Sequence, residues 1–209
     1  METVKFYFSF RSPYAWLAYH RVAHAFADVP VDVRPIPVYP PKNFANDPTA
    51  LPSKAAYIAE DAARIAAAYG LTARWPGDLD TDWMRPHAAY LYAADQGCGD
   101  AFALAAYAAR FTDGQDLGAD TVVHAVASRC GLDAAATLRA SDDPAVQQRV
   151  LAGITEGLAD GIFGVPFFVY RGQKFWGNDR LEWLLRAIFA DSGRAVPDLR
   201  HNLLAAPHG

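Results

Sequence analysis

Ser12 and Pro13, within "FSFRSPYAW" (residues 8–16), stand where a short apolar run gives way to a helical pattern. A serine oxygen can accept from an N–H left unpaired at a helix start, and a proline next to it has no N–H to leave unpaired. The dipeptide therefore predicts a helix N-cap and first helical residue. Far along the chain, Val165-Pro166 in "GIFGVPFFVY" opens a strand pattern. Proline is excluded from strand interiors, and X-Pro is the one linkage at which a cis bond costs little. Cys98 and Cys130, the only two cysteines, give neither a CxxC spacing nor a disulfide framework. His87 shares a helical stripe with Trp83 and reads as a packed or exposed helix residue rather than a general base. No spacing of His, Cys, Asp or Glu predicts a metal site, and no Gly-rich loop predicts a nucleotide.

The elements that hold these residues follow from hydrophobic period. Lys5 to Phe10 and Val29 to Val38 read as strands, and between them Ala15, Tyr19, Val22 and Phe26 repeat at helical spacing. The proline-rich "PPKNFANDPTALP" reads as a loop. Beyond it, Ala55, Ile58, Ala62, Ile65 and Tyr69 mark one apolar stripe, with Glu60 and Arg64 as an i,i+4 pair, and Trp83, His87, Tyr90 and Ala94 mark another. Asp100, Asp120 and Asp143-Pro144 read as N-caps, so about five helices are expected in the middle. Past Gly161, "VPFFVYRGQKFW" gives two short strands around an Arg-Gly turn, Arg180 to Ala190 a last helix, and "SGRAVPDLRHNLLAAPHG" a tail. Asp179 reads as the N-cap of that helix. A β-α-β start with a polar residue at the first helix's N-terminus, and a Val-Pro leading a later hairpin, is the layout of a thioredoxin-like α/β fold. The expected domains are a discontinuous thioredoxin-like one, residues 1–40 and 161–209, and a helical insertion, residues 41–160.

Composition narrows the partners. The 209 residues are 52% hydrophobic, enough for a substantial core, and the net charge of -4 with no dense Lys/Arg cluster argues against nucleic acid. No apolar run approaches membrane-spanning length. Met1-Glu2 leads straight into a strand pattern rather than a secretory signal, so the expected setting is a reducing cytoplasm. Tyr14, Trp16, Phe163 and Phe168 flank the two proline sites, and Tyr39, Trp83 and Tyr90 are candidates to line a pocket between the domains. Of these, Tyr14 is the one expected to form an apolar substrate wall.

The segments "FYFSFRSPYAWLA", "PSKAAYIAEDAARIAAAYGL", "GIFGVPFFV" and "FWGNDRLEWL" resemble the kappa-class glutathione transferases and 2-hydroxychromene-2-carboxylate isomerases, relatives of the DsbA oxidoreductases. The resemblance runs through nearly the whole chain. Where DsbA-like proteins open the first helix with Cys-x-x-Cys, this chain has Ser12, Pro13, Tyr14 and Ala15. With both sulfurs absent, the resemblance implies a borrowed thiol, glutathione or another low-molecular-weight thiol, whose thiolate Ser12 and the helix dipole stabilise. It further implies that Val165, before Pro166, pairs its backbone with the cysteinyl peptide as an added strand. Asn178 and Asp179 would hold the γ-glutamyl end, and Lys54 the glycine end.

Three departures from the family pattern are visible: Ser9 replaces a common aspartate, Arg11 an aliphatic residue, and "YPPKNFANDP" a Gly-Asn-x-Pro-Pro loop whose asparagine could fall on Asn43 or Asn46. The implied function is glutathione-dependent isomerisation of a conjugated, aromatic-derived carbonyl acid by a cytoplasmic homodimer. The alternatives are a kappa-class-like transferase that releases the thioether, and a non-catalytic thioredoxin-fold module that binds through the Val165 edge. A disulfide oxidoreductase would need a cysteine where this chain has Ser12.

Overall fold

A computed structural model describes residues 1–27, 29–41, 47, 50–77 and 81–193. Strand β1 (Glu2–Phe8), helix α1 (Pro13–Ala25) and strand β2 (Val31–Pro37) open the chain. Six helices follow: α2 (Pro52–Ala68), α3 (Met84–Asp95), α4 (Gly99–Phe111), α5 (Asp120–Arg129), α6 (Ala134–Ser141) and α7 (Pro144–Asp160). The hairpin β3 (Phe167–Tyr170) and β4 (Gln173–Trp176), a 3₁₀ turn at Asn178–Arg180 and helix α8 (Leu181–Asp191) close the described chain. The expected Asn43 and Asn46 positions and most of the C-terminal tail lie outside the described residues.

The sheet runs β2-β1-β3-β4, with β1 parallel to β2 and antiparallel to β3. The C-terminal half of central strand β1, Phe6 to Phe8, is buried on both sides because both are covered. Phe6 and Phe8 face a large core with α1 and α8, while Tyr7 joins Ile36, Phe167 and Val169 under α7. Phe6 stacks on Phe168 with centroids 4.7 Å apart, and Phe8 meets Tyr90 of α3 edge-on at 4.9 Å. Helix α1 is buried nearly all round, Ala15 through Tyr19 without a break, since it lies between the sheet and the inserted helices. Each large side chain sealed there contributes roughly 1.5–3 kcal/mol.

Several boundaries differ from the sequence expectation. Strand β1 stops at Phe8, and Ser9 through Ser12 form a turn closed by Ser12 N–H to the Ser9 carbonyl at 3.0 Å. Asp143-Pro144 caps α7 as expected, with Asp143 accepting from Ala145 N–H at 2.8 Å. Asp100 and Asp120 do not cap. They are first-turn residues behind Cys98 and Ala119, and their carboxylates serve Tyr19 and Arg85 instead. Asp179 caps nothing either, because it sits inside the 3₁₀ turn and α8 starts after Arg180.

Candidate active site at the start of the first helix

The Ser9–Ser12 turn delivers the chain into α1, and the Val165-Pro166 bond, which is cis, faces it. Ser12 Oγ accepts from Ala15 N–H at 3.2 Å and donates to the Val165 carbonyl at 3.1 Å. One hydroxyl thus caps the helix and ties it to the cis-proline loop. Pro13 has no N–H, and the Ser12 carbonyl accepts from Trp16. The Tyr14 N–H and the Val165 N–H have no hydrogen-bond partner among the described residues. The Ser12 hydroxyl and the positive end of a helix dipole lie together, and the open Tyr14 and Val165 amides belong to the two segments that this hydroxyl joins, features that favour a bound anion.

Tyr14 points toward α2, where its hydroxyl donates to Asp61 at 2.9 Å. Burial, then that hydrogen bond, push its phenol upward, so it keeps its proton at neutral pH and presents a ring rather than a base. Lys54 is exposed in the first turn of α2. Seven residues before Asp61, it lies on the same helix face about 10 Å along the axis. Arg11, beside Ser12, holds Asp47 through one nitrogen at 3.1 and 3.0 Å from the two carboxylate oxygens.

Asn178 and Asp179 part company. Asn178 is buried, its amide nitrogen donating to Tyr69 Oη at 3.1 Å and its side-chain and backbone oxygens accepting from Arg21 Nη1 at 3.0 and 2.8 Å. Burial lowers the Arg21 guanidinium, opposed by Tyr69, Asp179 and Glu182. Asp179 is turned outward, its side chain 72% exposed and 2.8 Å from Arg180. Gly177 before them has φ 116°, and a β-carbon there would lie 2.5 Å from Asp179 Oδ1, so glycine lets that carboxylate fold back over the turn.

The candidate aromatics are mostly core. Phe168, Trp83 and Tyr90 are buried, and Tyr39 packs its ring 5.3 Å from His87. Phe163 is exposed and meets Trp176 at 4.8 Å, flanking the cis-proline loop on its outer side. Sequence reasoning named Ser9 only as a departure from the family pattern and missed the other residues that hold the site together: Asp61, Tyr69, Tyr107 and Arg21. Ser9 left a trace, a small polar residue breaking the aromatic run "FYFSF"; the others act through partners too distant in sequence to signal themselves.

A family model of the DSBA-like thioredoxin domain matches residues 3–189. A curated protein, 2-hydroxychromene-2-carboxylate isomerase of Sphingobium xenophagum, is 30% identical over 190 residues, 88% of this chain and 96% of that one. The chain belongs to the 2-hydroxychromene-2-carboxylate isomerase family. That membership makes it an enzyme of the isomerase class. A solved 2-hydroxychromene-2-carboxylate isomerase superposes with TM-score 0.81 at 23% identity, covering 91% of this chain and 96% of its own. A probable DsbA oxidoreductase of Streptomyces coelicolor gives 0.76 at 22%, covering 94% and 92%. At those identities the two structures speak for the fold alone. Among the described residues no helix is long and apolar enough to cross a membrane, and no cluster could hold a metal.

Proposed function

We propose that the chain is a glutathione-dependent isomerase of a conjugated, aromatic-derived carbonyl acid, of the 2-hydroxychromene-2-carboxylate type, with its thiol held at Ser12. The observation that carries the reading is the Ser12 hydroxyl between α1 and the Val165 carbonyl, with the Tyr14 and Val165 N–H groups open beside it. These donors suit a thiolate bound through an extended cysteinyl peptide. Glutathione, when bound, would supply a thiolate nucleophile for reversible addition to an electron-poor alkene, through which the former double bond could rotate or close a ring. Ser12 turns its O–H from Val165 toward the sulfur and, with the Tyr14 N–H and the helix dipole, favours the anion both on entry and on departure. Val165 offers its N–H to the peptide in the manner of an added strand, and Pro166 follows it at the edge that the Ser12 hydroxyl meets. Tyr14, fixed by Asp61, presents a neutral ring as one wall of the substrate site. Lys54 and Asp179 are the exposed charges assigned to the glycine and γ-glutamyl ends. Asn178 serves the latter from behind, by holding the turn that carries Asp179 onto Arg21.

The test is turnover of a 2-hydroxychromene-2-carboxylate-type substrate with and without reduced glutathione, with product and thiol both quantified. Thiol-dependent isomerisation with free thiol recovered supports the proposal, while equal turnover without any thiol rejects it. A stable thioether product would assign the same site to a kappa-class-like transferase.

A further inference from the structure

We infer that Ser9, His87 and Tyr107 form a buried positioning cluster through which the inserted helices set the direction in which Ser12 presents its hydroxyl, an inference that rests on the role given to Ser12 above. The three side chains come from the β1–α1 turn, from α3 and from α4, and they are 1%, 0% and 0% exposed. Their polar groups take up three successive backbone N–H groups of the turn. Phe10 N–H points at His87 Nε2 at 3.4 Å, Arg11 N–H at Ser9 Oγ at 3.2 Å, and Ser12 N–H at the Ser9 carbonyl at 3.0 Å. The Ser9 carbonyl takes a second bond from the Tyr107 hydroxyl at 3.0 Å. Pro13 offers no donor, so the next N–H after Ser12 is that of Tyr14, which is open at the site itself.

The protonation of the cluster follows from its partners. His87 Nδ1 lies 2.6 Å from the Trp83 carbonyl, which can only accept, so Nδ1 carries the hydrogen and Nε2 is left as an acceptor. Ser9 Oγ, already accepting from Arg11, has its own O–H free to donate to that nitrogen at 3.4 Å. A charged imidazole would set a donor against Phe10 N–H. Burial holds His87 neutral by lowering it to about 4, against the opposing pull of the Trp83 and Val38 carbonyls. The ring also packs 5.1 Å from Phe10 and 5.3 Å from Tyr39, so an acceptor is supplied without opening the apolar wall. An apolar residue at 87 would leave a buried N–H unpaired. Removing Tyr107's hydroxyl frees the Ser9 carbonyl, which is the group that fixes Ser12's backbone.

A probe independent of glutathione tests this. In a Ser12→Cys background, the introduced thiol lies at the helix N-terminus, and its alkylation rate against pH reports how well the turn aims it. Tyr107→Phe and Ser9→Ala, each added to that background, are expected to raise the midpoint by about 0.5–1 unit, a three- to tenfold loss of thiolate below it. His87→Gln, which keeps an acceptor, should shift it less than His87→Leu. Val126→Ala, a core truncation in α5, is the control for lost stability and should leave the midpoint in place. A midpoint unmoved by Tyr107→Phe and Ser9→Ala, or moved as far by Val126→Ala, overturns the cluster's role. If the midpoint moves while the parent chain fails to bind glutathione, the cluster stands and the reading under the proposed function falls.

Discussion

Ser12→Ala removes two bonds made by one hydroxyl, the cap on Ala15 N–H and the tie to the Val165 carbonyl. Loss of a serine N-cap costs about 1 kcal/mol and loss of a neutral hydrogen bond about 1 kcal/mol more, about 2 kcal/mol together. For a chain of this length that corresponds to a fall of roughly 4–8 °C in Tm. Ser12→Thr retains both groups and should stay within about 0.5 kcal/mol of the parent. The effect on the thiol is a difference. A hydrogen bond to a charged group is worth roughly 1.5–3 kcal/mol, but Ser12 must first release Val165, worth about 1 kcal/mol, so the net is roughly 0.5–2 kcal/mol. Glutathione should bind roughly 2- to 30-fold more weakly to Ser12→Ala at a pH where the bound thiol is ionised. Denaturant unfolding gives the first number, and calorimetric titration with reduced glutathione across pH the second. An alanine variant as stable as the parent would show that the two bonds do not hold in solution. One that binds glutathione undiminished would remove Ser12 from the mechanism.

Three further outcomes follow from groups described above. Because burial lowers His87 to about 4 while an exposed imidazole titrates near 6.5, the unfolded chain takes up a proton that the fold refuses. That contribution is fully present above about pH 6.5 and is lost as pH falls toward 4, by up to about 3 kcal/mol, and His87→Gln should flatten this limb in unfolding curves taken at several pH values. Asn178→Ala removes the buried amide that Arg21 and Tyr69, both half-buried, share and should cost about 2–3 kcal/mol, whereas exposed Asp179→Ala should change stability by less than about 1 kcal/mol; equal losses by scanning calorimetry would contradict the burial contrast between 178 and 179. Gly164→Ala sets a β-carbon 2.8 Å from Trp176 Nε1, so the indole must swing away and tryptophan emission must shift. An unchanged spectrum would mean that Trp176 does not rest on the cis-proline loop.

The parts legible in the sequence are those decided by neighbouring residues. Ser12-Pro13 and Asp143-Pro144 marked helix starts because proline removes a donor and fixes φ at the position following the cap. Asp100, Asp120 and Asp179 lack that second signal, and each spends its carboxylate on an aromatic hydroxyl or an arginine. Phe10 extended the apolar run in sequence, yet it is buried by a turn that carries it against His87 and Tyr107. The membership in the isomerase family and the thioredoxin-like fold could be read from motif order. The support of the site could not, since Tyr14 with Asp61, Arg21 with Asn178 and Ser9 with Tyr107 are joined across 47, 157 and 98 residues.

The resting bond from Ser12 to Val165 has a bearing on selectivity. Its single proton is already in use, so a sulfur bound as proposed would have to displace a carbonyl rather than fill an empty place. A neutral thiol, a poor acceptor, gains nothing by that exchange, whereas a thiolate does. If a thiol is held at Ser12 as proposed, the bond would set a threshold that favours an ionised sulfur, and the site would discriminate protonation state before any substrate arrives.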